Sequence, residues 1–429
     1  MTSLYLLLWI VGGVLLQLVI YLGIGFWRHW LNYLALRRIT VEGGLPIQPM
    51  AGSDEPNTPV AAAWSSFRPF KVTRKVAEDA ANDICSFHLV PQDGQPLPSF
   101  LPGQYLTFRL DIPSAGGAAT STVRCYSLSD APRADAYRVS IKRAPAPTNS
   151  LVPAGRSSNF FHDQVQVGSV LQLRAPAGHF HIDRSDAPVV LVGGGIGITP
   201  MLSMLNWCLA EQAGREIWLF YGARHSGELM ARPQLEALAA KHAHFHLHIC
   251  LSNPLPQERL GQDFQHQGRV NVDLMRSLLP LKPYHFYLCG PTPMLQSLVP
   301  ALEDWGVPDA RIHFEAFGPA SIPRKNPQTS NASAVLASSA LASGEAVMVT
   351  FAKSGKQLSW NPGSGTLLEL AESQGIAVNS GCRAGGCGSC QTTIQAGEVA
   401  YRQAPDFDPE TGTCLLCVCT PKTHVTLDL

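Results

Sequence analysis

Three cysteines in Ser380-Gly-Cys-Arg-Ala-Gly-Gly-Cys-Gly-Ser-Cys390, with Cys417 a further 27 positions on, follow a C-x4-C-x2-C…C spacing. Thiolates so spaced hold a [2Fe-2S] cluster, which passes one electron at a time. Four sulfurs must converge on two irons while the backbone wraps closely enough to offer them N–H groups. The glycines between Ser380 and Cys390 permit that wrap. A zinc centre would ask for paired C-x2-C arms, and this loop holds a single one, Cys387 and Cys390. The stretch Thr413-Cys-Leu-Leu-Cys-Val-Cys419 offers three fourth ligands, Cys414, Cys417 and Cys419.

Three further motifs lie in the middle of the chain. The first is Arg124-Cys-Tyr-Ser-Leu-Ser129, preceded by Gly103-Gln-Tyr105; the second is Gly155-Arg-Ser-Ser-Asn-Phe-Phe-His162. The third is Leu191-Val-Gly-Gly-Gly-Ile-Gly-Ile-Thr-Pro200, a glycine loop between a strand and a helix, where a pyrophosphate can sit on unpaired N–H groups. It departs from G-x-G-x-x-G by placing Thr199-Pro200 where the third glycine would fall. Tyr221-Gly-Ala-Arg224 and Leu288-Cys-Gly-Pro-Thr-Pro-Met294 follow at the ends of later apolar runs.

Together these motifs resemble the ferredoxin–NADP reductase superfamily over about residues 67–317, and the C-terminal 80 or so residues resemble plant-type ferredoxins. The resemblance implies that Arg124 binds flavin phosphate, Tyr126 packs on the isoalloxazine and Ser127 hydrogen-bonds near N5, with Tyr105 and Lys142 beside them. An anionic diphosphate suits an arginine fork, and a flat ring suits an aromatic wall. Gly155 and Ser158 would receive the diphosphate at a helix N-terminus. Gly193, Gly195, Gly197, Thr199, Pro200, Arg224, Gly290 and Pro291 would cradle the nicotinamide nucleotide, with Cys289 bordering its ring and Glu315 assisting proton movement. The likeness to ferredoxins selects Cys417 as the ligand that joins Cys382, Cys387 and Cys390. Ala175-Pro-Ala-Gly-His-Phe180 resembles flavohaemoglobin-like members and favours FAD over FMN, although the domain order is also that of FMN-using phthalate dioxygenase reductases. Arg224, with Glu228 four positions on, leaves NADH or NADPH open, with a lean to NADH.

The elements that must position these residues are legible as changes in pattern. Residues 67–184 hold short apolar runs broken by Pro and Gly, such as Tyr137–Lys142 and Val170–Leu173, and predict an antiparallel β-barrel flavin domain. From Pro188 apolar strands alternate with helical patterns, among them Met201–Ala213, Ile217–Tyr221 and Phe245–Leu251. Residues 185–318 therefore predict an α/β nicotinamide domain on a parallel sheet. Residues 319–346, rich in Ala, Ser, Pro and Asn, predict a flexible linker able to span about 30 Å. Residues 347–429 predict an α+β ferredoxin-like (β-grasp) domain carrying the cysteine loop.

At the other end, Leu4–Trp27 contains no charged residue and is long enough to cross a hydrocarbon core of about 30 Å. Arg28, Arg37 and Arg38 follow it. Residues 1–38 therefore predict a transmembrane anchor with a basic flank, and 39–66 a linker. The expected location is a single-pass inner (cytoplasmic) membrane protein with its catalytic domains in the cytoplasm. Among 429 residues, 32 basic side chains balance 32 acidic ones, which removes any bulk argument for nucleic acid. Eleven cysteines, gathered at the loop or scattered through apolar runs, fit a reducing compartment.

The resulting expectation is a multidomain, membrane-anchored NAD(P)H-dependent reductase that moves electrons through FAD and [2Fe-2S] to a protein acceptor. An oxygenase, a desaturase or a hybrid-cluster-like protein would fill that place. The alternative is a subunit of a membrane NADH–quinone reductase complex; that family's subunit puts its cluster before the flavin domain, and the order here is the reverse.

Overall fold

The computed structural model describes Trp64, residues 66–113, 119–146, 153–317, Ile322, 347–361 and 364–378, then 380, 381, 383, 385, 388–402, 405, 407 and 409–429. The first third is built on β1 (Arg68–Ala77), β2 (Ile84–Pro91), β3 (Tyr105–Pro113), β4 (Ala119–Ser127), β5 (Tyr137–Lys142), helix α1 (Arg156–Asp163) and β6 (Val170–Leu173). These strands form one sheet in the order β4-β3-β6-β1-β2-β5, with every pairing antiparallel. A bridge from Leu128 to Val139 brings the two edge strands together, so the sheet closes on itself. Its inward side chains, Phe70, Phe87, Leu106, Phe108, Val139 and Leu173, are fully buried, as alternation in a half-buried strand requires. Phe161 of α1 plugs the interior, edge-on to Phe87 at 5.2 Å and Phe108 at 5.3 Å.

The second third holds β7 (Val189–Gly194), α2 (Ile198–Glu211), β8 (Ile217–Ala223), α3 (Arg232–Lys241), β9 (Phe245–Leu251), β10 (His266–Gln267), α4 (Val272–Leu278), β11 (His285–Gly290), α5 (Thr292–Asp304) and β12 (Ile312–Ala316). The sheet order is β10-β9-β8-β7-β11-β12, and all neighbours run parallel. Central strand β7 is buried along its whole length, which is why it reads as an unbroken apolar run. Val189 and Leu191 pack into the core on one face, Val190 and Val192 into the core on the other.

The last part comprises β13 (Val347–Phe351), β14 (Lys356–Trp360), α6 (Leu367–Ser373), β15 (Gln391–Ala396), β16 (Val399–Tyr401), β17 (Thr413–Leu415), β18 (Cys419–Pro421) and β19 (Val425–Leu427). A mixed sheet, β14-β13-β19-β15-β17, shares one core with α6, and β16 pairs with β18 apart from it. Thr366 and Glu369 close α6 with a reciprocal capping box.

The expected inner-membrane, single-pass placement is corrected at this point. Among the described residues no helix is long and apolar enough to cross a membrane. The longest described helix, α2, has 14 residues and so a length of about 21 Å, short of a hydrocarbon core of about 30 Å. The anchor expected at 1–38 and the connector at 39–66 fall outside the described residues, apart from Trp64 and Ser66. Membrane anchoring is therefore withdrawn from the account.

Candidate functional site

Strand β4 carries Arg124, Tyr126 and Ser127 to the end of the barrel that faces the parallel sheet, and pairs Ser127 with Tyr105 of β3. There they wall a cleft of about 430 Å³ together with Lys142, Thr199, Glu315 and Phe317. Tyr126 is fixed from behind by two edge-on rings, Phe161 at 5.2 Å and Phe108 at 5.7 Å, and burial pushes its phenol well above the ordinary value. The ring of Tyr105 is pressed against Gly178, where an added Cβ would sit 2.8 Å from Tyr105 Cε1. Two aromatic walls, Tyr126 and Phe317, and a rim of Arg124 and Lys142 suit a flat ring with an anionic tail, and the volume lies within the range of small-molecule clefts. The described residues therefore fit a flavin.

The expected diphosphate residues behave differently from one another. Gly155 caps α1 without any side-chain bond, so the helix N-terminus stays open, and a Cβ there would stand 2.7 Å from Ala144 Cβ. The Ser158 hydroxyl, by contrast, accepts from the Ala144 N–H at 3.3 Å and lies 3.4 Å from the Gly155 carbonyl, tying the loop to β5.

At the sheet's C-terminal edge, β7 runs into a tight turn, Gly195–Gly197, and then into α2. Gly197 packs so closely on β11 that a Cβ would lie 2.2 Å from the Cys289 carbonyl oxygen. Gly195, with φ +54°, is the opposite case: an added Cβ would meet nothing within 4 Å, leaving open space over the turn for a ligand. Gly193 aligns with Cys289 across the β7–β11 ladder, and Cys289 aligns with Glu315 across β11–β12. Gly290 and Pro291 continue from Cys289 into the start of α5. Thr199 is buried and its hydroxyl donates to the Ile196 carbonyl at 3.0 Å, while Pro200 is buried in the first turn of α2.

Ser127 Oγ donates to Glu315 Oε2 at 3.4 Å, so the residue expected beside flavin N5 and the carboxylate expected to assist proton movement meet where the barrel joins the last strand of the sheet. Cys289 is fully buried; that burial, with the charge of Glu315 adding to it, pushes its thiol well above the ordinary range. Arg224 and Lys142, both expected to touch a cofactor, also converge on Glu228, Lys142 while lining the cleft. Arg224 Nε lies 2.9 Å and Lys142 Nζ 3.5 Å from Glu228 Oε1. Burial pushes the Glu228 carboxyl up, but the Arg224 hydrogen bonds and the Lys142 charge outweigh it and hold it at about 2.

The cysteine loop lies against the same cleft. Arg124 Nη1 donates to the Ser380 carbonyl at 3.4 Å, and Ser380, Gly381 and Arg383 line the cleft. Arg383 takes a left-handed backbone, φ 57°, and its guanidinium pairs with Glu372 of α6. Cys390 and Cys417 are 3% and 6% exposed, and Cys417 opens into a second cavity of about 540 Å³ between barrel, sheet and ferredoxin-like part. Cys414 and Cys419 have no exposure, and Cys419 is hydrogen-bonded to Cys414. Gly388, at φ +71°, brings the loop so close to Phe407 that a Cβ would sit 2.7 Å from the ring. A loop wrapped this tightly and ending in the buried Cys390, with Cys417 buried in the same core, fits a thiolate-held cluster; Cys382 and Cys387 lie outside the described residues.

Four residues of the site were not picked out by sequence. Phe317 lies two positions past Glu315 and is 45% exposed at the cleft, which the sequence does not signal. Glu228 was seen as a bystander of Arg224. Ser380 and Arg383 border Cys382, yet nothing local signals that they would reach the flavin cleft.

Residues 191–299 match the oxidoreductase NAD-binding domain family and residues 349–422 the 2Fe-2S iron-sulfur cluster binding domain family. A flavohemoprotein of Chromobacterium violaceum is 39% identical over 262 residues, 61% of this chain and 63% of its own length. This chain thus spans about three-fifths of the curated relatives it matches. The flavohem-like FAD/NAD binding domain of nitric oxide dioxygenase from Vibrio cholerae O1 biovar El Tor is 32% identical. It superposes with a TM-score of 0.51, covering 59% of this chain and 100% of that one. An intact type IV self-sufficient cytochrome P450 monooxygenase, 22% identical, shares the fold over 85% of this chain and 41% of its own, with a TM-score of 0.52. These findings support the cofactor set of FAD, NAD(P)H and a [2Fe-2S] cluster. The chain belongs to the ferredoxin–NADP reductase superfamily, as an electron-transfer component in which flavin and nicotinamide domains are joined to a C-terminal [2Fe-2S] ferredoxin domain.

Proposed function

We propose that this chain oxidises NAD(P)H and delivers the electrons one at a time to a partner oxygenase, desaturase or similar redox protein. The overall balance is one NAD(P)H and two oxidised one-electron acceptors giving NAD(P)⁺, one proton and two reduced acceptors. When bound, a flavin supplies the conversion from hydride pair to single electrons, and a [2Fe-2S] cluster supplies the one-electron exit.

The observation that carries this reading is the shared cleft. Its walls come from β4, from the end of β12 and from the cysteine loop, so the place where hydride would arrive and the loop that would hold iron are in hydrogen-bond contact through Arg124 and Ser380. In this reading Arg124 and the open N-terminus of α1 bind the flavin's phosphates, and Tyr126 and Phe317 orient its ring. Gly193, Gly195, Gly197 and Gly290 admit the nicotinamide nucleotide. Cys289 keeps water from the ring, because it is fully buried and its thiol stays protonated. Ser127 Oγ holds a proton beside Glu315 Oε2. Cys390 and Cys417, with Cys382 and Cys387, hold the cluster.

The acceptor class follows from the chemistry of the exit: a cluster that releases single electrons suits a one-electron redox protein rather than a hydride acceptor. The test is Cys417→Ser. Reduction of ferricyanide by NAD(P)H should persist while reduction of cytochrome c, and of any oxygenase supplied as acceptor, is lost. Loss of both in a folded protein would sink the proposed order.

A further inference from the structure

This inference rests on the reading that a nicotinamide nucleotide docks at the glycine turn, and it concerns which nucleotide. The loop after β8, residues 224–228, stands beside that turn, because Gly222 of β8 aligns with Gly194 of β7. At this position a parallel-sheet nucleotide fold meets the adenosine ribose. A carboxylate there binds a free 2′-hydroxyl, whereas arginine and unpaired N–H groups would bind a 2′-phosphate.

Here the arginine and most of the backbone donors are already taken, and the His225 Nδ1 that has no partner is buried. The Arg224 side chain is paired with Glu228, and the Arg224 backbone N–H donates to Glu228 Oε2 at 3.2 Å. The Ser226 N–H donates to Glu258 Oε1 at 2.8 Å. The N–H groups of Glu228 and Leu229 close the turn on the carbonyls of His225 and Ser226, at 3.1 and 3.0 Å. The next cation along, Arg232, is paired with Glu236 at 2.7 Å and lies 3.8 Å from Asp263. A 2′-phosphate would therefore have to break ion pairs and meet two carboxylates, one of them further fixed by Lys142 from the barrel. A ribose with its 2′-hydroxyl free meets acceptors.

We infer that Glu228 and Glu258 select NADH over NADPH by occupying the cationic and backbone donors that a 2′-phosphate would need. Glu228 is the stronger of the two, since it holds both the guanidinium and the loop backbone.

The test is calorimetric binding of NAD⁺ and NADP⁺ to the full-length holoprotein, alongside flavin bleaching by NADH and by NADPH. The wild type should favour NAD⁺ by at least about tenfold, the effect of one unit charge near a protein surface. Glu228→Gln should bring the two affinities within about threefold by strengthening NADP⁺ binding, and Glu258→Gln should narrow the gap less. Equal or tighter binding of NADP⁺ by the wild type would overturn the inference. So would an unchanged ratio in both variants when their circular dichroism matches the wild type. Selective NAD⁺ binding without any bleaching by NADH would uphold it while removing the electron route proposed above.

Discussion

Two seams hold this molecule together, and they are built on different principles. Between the barrel and the parallel sheet the contacts are polar, short and buried. Ser203 Oγ and Asn206 Nδ2 of α2 donate to the Asp130 carbonyl and carboxylate, each at 2.7 Å. The fully buried Arg215 reaches Asp183 at 2.9 Å, and Tyr287 joins the same carboxylate. Between the barrel and the ferredoxin-like part, the contacts seen among the described residues are longer. Arg124 touches Ser380 at 3.4 Å, Arg174 stacks over the Phe407 ring at 4.7 Å, and a cavity of about 540 Å³ remains. The first seam sets donor geometry within hydride-transfer tolerance, where small displacements cost rate. The second needs only proximity, because electrons cross gaps that hydride cannot.

The difference can be broken from the rigid side first. Asp183→Ala removes the counter-charge of a fully buried guanidinium, which keeps only carbonyl and amide acceptors, and should cost about 3 kcal/mol of stability, read as a lower midpoint in urea. The unfolding of the barrel and sheet should then lose cooperativity, while the cluster's visible absorption persists.

Acid should act on the same side. Burial, reinforced by neighbouring His285, holds His313 down at about 4 against an ordinary 6.5. Between those values the unfolded chain binds the proton more readily than the folded one. The stability contributed by neutral His313 is therefore complete above pH 6.5 and is lost as the pH falls toward 4. Of the stability lost between pH 7 and pH 5 in urea unfolding, His313 should account for about 2 kcal/mol, alongside His248, which is likewise held at about 4. His313→Gln should shrink the loss by that share.

The smallest effect belongs to the second seam. Arg174→Ala removes the cation–π contact to Phe407 and a second to Phe67 within the barrel, each worth about 0.5–1 kcal/mol. It should lower the thermal midpoint of barrel and sheet by only a few degrees and leave ferricyanide reduction unchanged. Cytochrome c reduction should slow by about two- to fivefold as docking weakens. A large loss of stability in this variant would mean that the two seams are alike after all.

Much of the architecture was legible because local pattern and tertiary role coincide. Strands β5, β6 and β9 occupy Tyr137–Lys142, Val170–Leu173 and Phe245–Leu251, the same bounds that the apolar runs mark out between turn residues. The unbroken run at β7 announced a strand buried on both faces. What stayed hidden depends on distant parts meeting. Lys142 and Arg224 read as ligands for anions, and nothing in their spacing shows that one carboxylate, Glu228, takes both. Arg174 and Phe407 lie in separate domains, so their stacking has no sequence signature. Leu4–Trp27 shows the converse limit, since hydropathy alone led to a membrane placement that the description of the chain does not support.

The most direct test is anaerobic rapid mixing of the holoprotein with NADH, followed at wavelengths that separate flavin from cluster. The account predicts that flavin bleaches first and the cluster follows, and that Cys417→Ser keeps the first phase and loses the second. A cluster that stays oxidised in the wild type while the flavin is fully reduced, or one that is reduced without the flavin, would contradict it.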